Sequence, residues 1–206
     1  MSNIKDYILS FITLDNNLLG SISEEEAQRK DIQPGVGPEV GKLLGLLIRL
    51  IDAKSVLEFG SCIGYSTIWI AEALKETCGE LLSIEYNENI LTEAKKNVEL
   101  AGLDQVVNFR LGDASEIIKS LSGPYDLIIQ DCDKALYPEM LEECIRLTRL
   151  NGIIIADDTL FKAMGIPDKF SRPVDEYNHK VFSDDRLYST ILPIGDGITI
   201  SIKIKE

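Results

Sequence analysis

The segment 125–134 reads YDLIIQDCDK, and the segment 152–158 reads GIIIADD. Apolar runs of this length, bounded by polar groups, are typical of buried parallel strands. In an open α/β sheet, ligands bind in the crevice outside the carboxyl ends of the strands. Asp131, Asp157 and Asp158 therefore meet at one edge of the sheet, with Lys134 beside them. Carboxylates gathered in this way indicate a site where a hard cation takes part in chemistry.

The pattern around these two segments predicts one α/β sheet. Apolar runs predict strands at 55–59, 81–85, 106–110, 125–130 and 152–156, with amphipathic helices between them and an end to one helix at Asn151-Gly152. This alternation requires a mostly parallel sheet with helices on both faces. Residues 187–192 and 198–204 flank a Gly-Asp-Gly turn and predict an antiparallel hairpin at the edge. The sheet is thus expected to have seven strands, the last of them antiparallel.

Composition limits the class of protein. The 206 residues, 45% of them hydrophobic, predict a single domain, with residues 1–33 as a helical extension and 34–206 as the core. The formal net charge of −13 disfavours nucleic acid and anionic membranes as partners. No apolar stretch is long enough to span a bilayer. The run Glu24-Glu25-Glu26 is expected on a solvated helix face. Four scattered cysteines without a C-x-x-C pair predict a reduced, cytoplasmic protein.

The first strand runs into a loop that suits an adenosine ligand. Gly60 and Gly64 allow the backbone to approach a ligand where the strand turns into a helix. Glu85 follows 21 residues after Gly64, at the end of the second strand, where an acid can accept hydrogen bonds from ribose hydroxyls. A tight turn with a purely structural role is the alternative. A nicotinamide oxidoreductase is disfavoured because the G-x-G-x-x-G pattern is missing.

The acidic cluster leaves two interpretations open. Asp131, Asp157 and Asp158 offer only oxygen ligands, which suit magnesium, manganese or calcium. Acids at strand ends are also commonly just solvated. Lys134, taken alone, is better explained as a surface lysine that forms an ion pair with Asp133.

The chain resembles the cation-dependent O-methyltransferases that use S-adenosylmethionine, the group containing the catechol and caffeoyl-coenzyme A methyltransferases. The resemblance covers residues 33–203 and depends on LEFG at 57–60 with GYS at 64–66, D-x-DK at 131–134, DDTL at 157–160 and LPIGDGI at 192–198. It implies the Rossmann-like fold of class I methyltransferases. Glu85 would bind the ribose, and Asp113 with Ala114 would lie at the adenine. The methionine end of the cofactor would be lined by Val36, Glu58, Gly60, Ser61 and Ser66, with Asp131 near the sulfonium.

The resemblance also implies the chemistry. Asp131 and Asp157 match metal ligands, and Asp158 stands where the family more often has asparagine, which would make the site more negative. Lys134 matches the general base, whose pKa a neighbouring dication would depress. The expected reaction is methylation of one hydroxyl of a small vicinal-dihydroxy aromatic, with magnesium as the expected ion and manganese or calcium as alternatives.

Two rival functions remain at this point, a metal-independent methyltransferase for another small acceptor and a non-catalytic cofactor-binding protein. The family is usually dimeric, and apolar residues near the start of the chain (Tyr7, Ile8, Phe11 and Ile12) predict part of a homodimer interface.

Overall fold

The computed structural model describes residues 2–12 and 17–206, and within them seven strands form one sheet. The strands are β1 (Ser55–Phe59), β2 (Glu80–Glu85), β3 (Val107–Leu111), β4 (Tyr125–Gln130), β5 (Thr148–Ala156), β6 (Leu187–Leu192) and β7 (Ile198–Lys203). Their order is β3-β2-β1-β4-β5-β7-β6. The first five strands run parallel, and β7 is antiparallel to β5 and β6. The predicted fold class is confirmed, and the strand ends agree with the sequence pattern to within one residue everywhere except at the start of β5.

Helices cover both faces of the sheet. They are α1 (Ser2–Leu9), α2 (Asn17–Gln28), α3 (Gly37–Leu50), α4 (Tyr65–Thr77), α5 (Glu88–Leu100), α6 (Ala114–Ile117), α7 (Tyr137–Leu147) and α8 (Asp168–Ser183). Buried side chains form two clusters, one on the face of α2–α5 and one on the face of α6–α8. Alternate residues of a strand enter opposite clusters, as Val56 and Leu57 of β1 do, because successive side chains of a strand point to opposite faces. No helix in the described ranges is both long and apolar enough to cross a membrane.

The predicted helix end at Asn151-Gly152 is wrong. Helix α7 ends at Leu147, and β5 begins with the next residue, Thr148, whose hydroxyl donates a 2.7 Å hydrogen bond to the carbonyl of Cys144. Asn151 lies inside β5 with a φ of 62°, a left-handed conformation that asparagine tolerates better than most residues. The pairing of β5 with β4 shifts register near this point. Asn-Gly therefore marks an irregularity in a strand, not the end of a helix.

Both faces of β7 are covered. Its isoleucines contribute to the α2–α5 side, while Thr199, Ser201 and Lys203 are buried on the other side. Their polar atoms have partners there. The Thr199 hydroxyl donates to Asn178 Oδ1 of α8 at 2.9 Å, and Lys203 Nζ donates to the carbonyl of Thr148 at 3.0 Å. Such pairing is what allows polar groups to be buried without a large free-energy cost.

Candidate active site

Strand register brings two of the predicted ligands together. Gln130 of β4 and Ala156 of β5 are paired, so the residues that follow them, Asp131 and Asp157, lie side by side. Parallel pairing continues past both strand ends, because the Asp157 N–H donates to the carbonyl of Gln130 at 3.1 Å. Oxygens of Asp131, Asp157 and Asp158 all lie within 4.8 Å of one another. The three carboxylates therefore converge as the sequence predicts.

The segment that carries Asp157 and Asp158 is fixed by the β6–β7 turn. The N–H groups of Thr159 and Leu160 donate to the carbonyls of Gly197 and Asp196, at 2.9 and 3.0 Å. Asp158 has a φ of 62°, and its N–H donates to Asp157 Oδ1 at 2.8 Å. The left-handed conformation favours aspartate or asparagine over other non-glycine residues at this position.

Lys134 lies among these carboxylates and is not paired with Asp133. Its Nζ is 2.8 Å from Asp131 Oδ1 and 2.9 Å from Asp158 Oδ2. It also donates to the hydroxyl of Tyr137 at 3.0 Å, and that hydroxyl donates to the carbonyl of Gln130 at 2.6 Å. Sequence reasoning missed Tyr137, although it follows Lys134 by three residues, close enough to contact it within one helical turn.

The electrostatics of the cluster would suit a bound cation. Burial raises the pKa of Asp131 and of Asp157, and the neighbouring carboxylates raise both further. Burial alone would lower the pKa of Lys134, but the charges of Asp131 and the other acids outweigh it and hold this pKa well above its ordinary value. Three carboxylates facing one ammonium leave an excess of negative charge. Oxygen ligands with that charge fit a hard divalent cation.

Glu58 anchors the loop between β1 and α4. The side chain is fully buried, and it accepts hydrogen bonds from the hydroxyls of Ser66, Thr67 and Ser83 at 2.6, 2.7 and 2.6 Å. Burial raises the pKa of Glu58 to about 7, and the three hydrogen bonds oppose that rise. Both carboxylate oxygens are thus bound to protein groups, so Glu58 positions Ser66 from beneath the loop.

Gly60 brings the same loop against the segment that carries Asp131. It has a φ of 97°, and a Cβ at this position would lie 2.2 Å from the carbonyl oxygen of Asp131. Only glycine permits this contact between the two segments. Ser61, next along the loop, is buried, and its hydroxyl donates to the carbonyl of Cys62 at 3.2 Å.

The remaining predicted cofactor residues lie along the same edge of the sheet. Glu85 is buried at the end of β2 and accepts the N–H groups of Cys62 and Asn87 at 3.1 and 3.0 Å. Asp113 caps α6 by accepting the N–H and hydroxyl of Ser115, which lower its pKa. Ala114 and Val36 are buried, the former at the start of α6 and the latter before α3.

Glu26 of α2 does not lie on a solvated face, and that part of the sequence prediction is wrong. Glu24 and Glu25 are exposed, but Glu26 is only 4% exposed. Its Oε2 accepts the N–H of Gly35 at 3.1 Å, and its Oε1 is buried with no hydrogen-bond partner among the described residues. Burial raises the pKa of Glu26 to about 7.

Comparison with known proteins agrees with this geometry. A profile described as "O-methyltransferase" matches residues 10–204. A catechol O-methyltransferase of Niastella koreensis is 31% identical over 213 residues, covering 97% of this chain and 96% of the relative. A caffeoyl-CoA O-methyltransferase of Medicago sativa is 33% identical, covering 80% of this chain and 73% of the relative. The crystal structure of an O-methyltransferase of Bacillus cereus in complex with SAH superposes with a TM-score of 0.87 at 25% identity, covering 98% of this chain and 97% of that one. The chain belongs to the O-methyltransferase family.

Proposed function

We propose that this protein transfers a methyl group from S-adenosylmethionine to one hydroxyl of a small vicinal-dihydroxy aromatic, with the help of a divalent cation. The observation that carries the proposal is the convergence of Asp131, Asp157 and Asp158 around Lys134. The cluster lies directly against the Gly60 loop. The similarity to a catechol O-methyltransferase and to an SAH-bound enzyme supports the acceptor class and the cofactor.

The candidate cofactor residues lie in segments around the carboxyl ends of the parallel strands, where they would bind S-adenosylmethionine. Glu85 would bind the ribose, Asp113 and Ala114 would flank the adenine, and Val36, Ser61 and Ser66 would hold the methionine end. When bound, S-adenosylmethionine supplies a methyl group activated by a sulfonium. Asp131 would lie near that positive charge, and Gly60 allows the backbone to come close because it has no side chain. Glu58 acts indirectly, by holding Ser66 in place.

Asp131, Asp157 and Asp158 would hold the cation, which supplies Lewis acidity that lowers the pKa of a bound hydroxyl. Lys134 is the base in this proposal. In the arrangement described above it keeps its proton, because the surrounding carboxylates stabilise the ammonium. It gains a usable basicity only when positive charge neutralises those carboxylates, so the base and the cation belong to one site. Tyr137 fixes Lys134 by accepting its hydrogen bond.

The proposal is tested by a methyl-transfer assay on a panel of catechols and simple phenols, with magnesium, manganese, calcium or EDTA. Catechols should be methylated with a divalent ion and not with EDTA. Activity that survives exhaustive metal removal favours a metal-independent enzyme. Cofactor binding without turnover of any acceptor favours a non-catalytic protein. The net charge of −13 disfavours a coenzyme A thioester, whose phosphates need cations, so a thioester should be a poorer acceptor than a free catechol.

We also propose that two copies of the chain form a homodimer through α1 and α3. Ile4 and Tyr7 of α1 are exposed, as is Phe11 shortly after the helix, and α3 exposes Leu46 and Leu50. An apolar patch of this kind on a water-soluble surface is typical of an interface. A light-scattering mass near 22.9 kDa would rule the dimer out.

The free cysteines support a cytoplasmic location, since all four lack a disulfide partner.

A further inference from the structure

Glu26 is a buried acid for which the described residues provide no cation. One carboxylate oxygen, Oε2, accepts the Gly35 N–H, whereas Oε1 is buried and has no hydrogen-bond partner in the part of the chain that the structure describes. The charge of Arg29 reaches Glu26, but the Arg29 guanidinium is bound to Glu25, Asp31 and Glu93. An ionised carboxylate left in this state costs several kcal/mol. A bound cation would remove that cost, and the described residues do not supply one.

The position of Glu26 identifies where that partner binds. Gly35, its hydrogen-bond donor, directly precedes Val36 at the start of α3. The negative charge of Glu26 also acts on the Cys62 thiol, whose pKa is raised to about 12 by burial first and by Glu26 next. The charge of Asp131, at the end of β4, in turn raises the pKa of Glu26. Glu26 therefore lies near the loop before α3, the β1–α4 loop and the end of β4, the segments that carry Val36, Ser61 and Asp131.

The negative charge of the buried acids around Glu26 favours a ligand that is a cation. Glu26, Glu58 and Glu85 are buried acids, and their hydrogen-bond donors among the described residues are N–H and hydroxyl groups, none of them a cation. Lys134 is already bound to Asp131 and Asp158 on the metal side. The methionine end of S-adenosylmethionine carries an α-ammonium next to its sulfonium, and both are cations.

We propose that Glu26 is a cofactor-binding residue, whose Oε1 accepts a hydrogen bond from the α-ammonium group of S-adenosylmethionine. The inference rests on the proposed use of this cofactor and extends the binding site to α2. The segment that the sequence suggests is a helical extension then forms a wall of the catalytic crevice. The hydrogen bond between Glu26 and Gly35 gives it a second role, because it ties α2 to the loop that carries Val36.

The test compares Glu26→Gln with Glu24→Gln by calorimetric titration. Glutamine keeps an oxygen for the Gly35 N–H and removes the charge, whereas Glu24 is an exposed residue of the same helix. The probes are S-adenosylmethionine, S-adenosylhomocysteine and methylthioadenosine, which lacks the ammonium and the carboxylate. We expect Glu26→Gln to bind the first two about 10- to 100-fold more weakly and methylthioadenosine unchanged, since a buried hydrogen bond to a charged group is lost. Glu24→Gln should match the wild-type protein throughout.

A second variant moves the carboxylate without changing its charge. A Cβ at Gly35 would lie 2.6 Å from Glu26 Oε2, and the flexible end of Glu26 must shift to admit it. Gly35→Ala should therefore show the same selective loss for the two amino-acid-bearing probes. The unfolding temperatures of both variants, measured without ligand, show that each remains folded.

Three results would overturn the inference. If Glu26→Gln binds S-adenosylhomocysteine as tightly as the wild-type protein does, the proposed hydrogen bond does not exist. If the variant loses as much affinity for methylthioadenosine as for the other two probes, Glu26 has only a structural role. A loss confined to S-adenosylmethionine reassigns Glu26 to the sulfonium. Wild-type protein that binds none of the probes refutes the proposed function itself, a failure that is visible before any variant is compared.

Discussion

Replacing Asp158 with asparagine isolates the effect of the third carboxylate. The Oδ2 atom lies 2.9 Å from Lys134 Nζ, and Asp158 oxygens lie within 4.8 Å of those of Asp131 and Asp157. Asparagine has the same shape and tolerates the φ of 62° equally well, so backbone strain does not enter the comparison. The substitution removes one negative charge and leaves the fold of the segment intact.

Two opposing energies decide how the metal-free protein responds. At an effective dielectric constant of 20, two unit charges 4.8 Å apart repel by about 3.5 kcal/mol, or about 7 kcal/mol for the two carboxylate pairs. The attraction to Lys134 at 2.9 Å is about 6 kcal/mol on the same scale. The free energy of unfolding should therefore change by no more than about 1 kcal/mol.

Cation binding should respond quite differently. The loss of one of three charged ligands should weaken Mg²⁺ and Mn²⁺ binding by about tenfold or more, since affinity at oxygen sites follows the charge of the ligands. Urea denaturation in EDTA measures the free energy of unfolding, and calorimetric titration of the metal-free protein measures the affinity for the cation. A variant that loses more than about 2 kcal/mol of stability while its metal affinity stays unchanged would refute the assignment of Asp158 as a ligand.

Asp131→Ala and Lys134→Ala should each keep the native circular dichroism spectrum and lower kcat by about 10²- to 10⁴-fold; a near-normal rate in either contradicts its role. Tyr137→Phe removes a hydrogen bond that stabilises the Lys134 ammonium, so the acid limb of the kcat–pH profile should move to lower pH, and a limb that moves upward argues against this contact. The pKa of Glu58 rises from 4.5 to about 7 on folding, so its contribution to stability is lost as pH rises from about 4.5 through 7. Between pH 5 and pH 8, measured by urea denaturation, the free energy of unfolding should fall by about 3 kcal/mol less in Glu58→Gln than in the wild-type protein. An equal fall in both proteins would show that the pKa of Glu58 is ordinary. Gly60→Ala should destabilise the protein by about 3 kcal/mol or more, because its Cβ meets the carbonyl of Asp131 at 2.2 Å; an unchanged melting temperature would mean that the loop can move aside.

The sheet was predictable because its signal is local. Residues 55–59, 125–130 and 187–192 are apolar or alternating runs bounded by polar or turn-forming residues, and each became a strand with those bounds. The start of β5 was not predictable in this way, because Thr148 and Asn151 have no apolar pattern. Their conformation is set by pairing with β4, a contact between segments more than 20 residues apart in sequence.

The same difference between local signals and distant contacts explains which residues of the site were predicted. The ends of β4 and β5 carry Asp131, Asp157 and Asp158, and parallel topology alone is enough to bring strand ends together. Glu26 was missed because the third acid in a run of three has the same sequence signature as its exposed neighbours. Its burial depends on how α2 docks beside the loop at Gly35, and no periodicity in the sequence encodes that contact.

The anchoring of Thr159 and Leu160 by the turn between β6 and β7 has a consequence for biosynthesis. On the ribosome, the segment with Asp157 and Asp158 emerges well before residues 196 and 197, whose carbonyls hold it in place. Until β7 inserts between β5 and β6, the nascent chain exposes β5 as an unpaired edge that is prone to association with other chains. The acidic segment is thus held in its place only after β7 has joined the sheet.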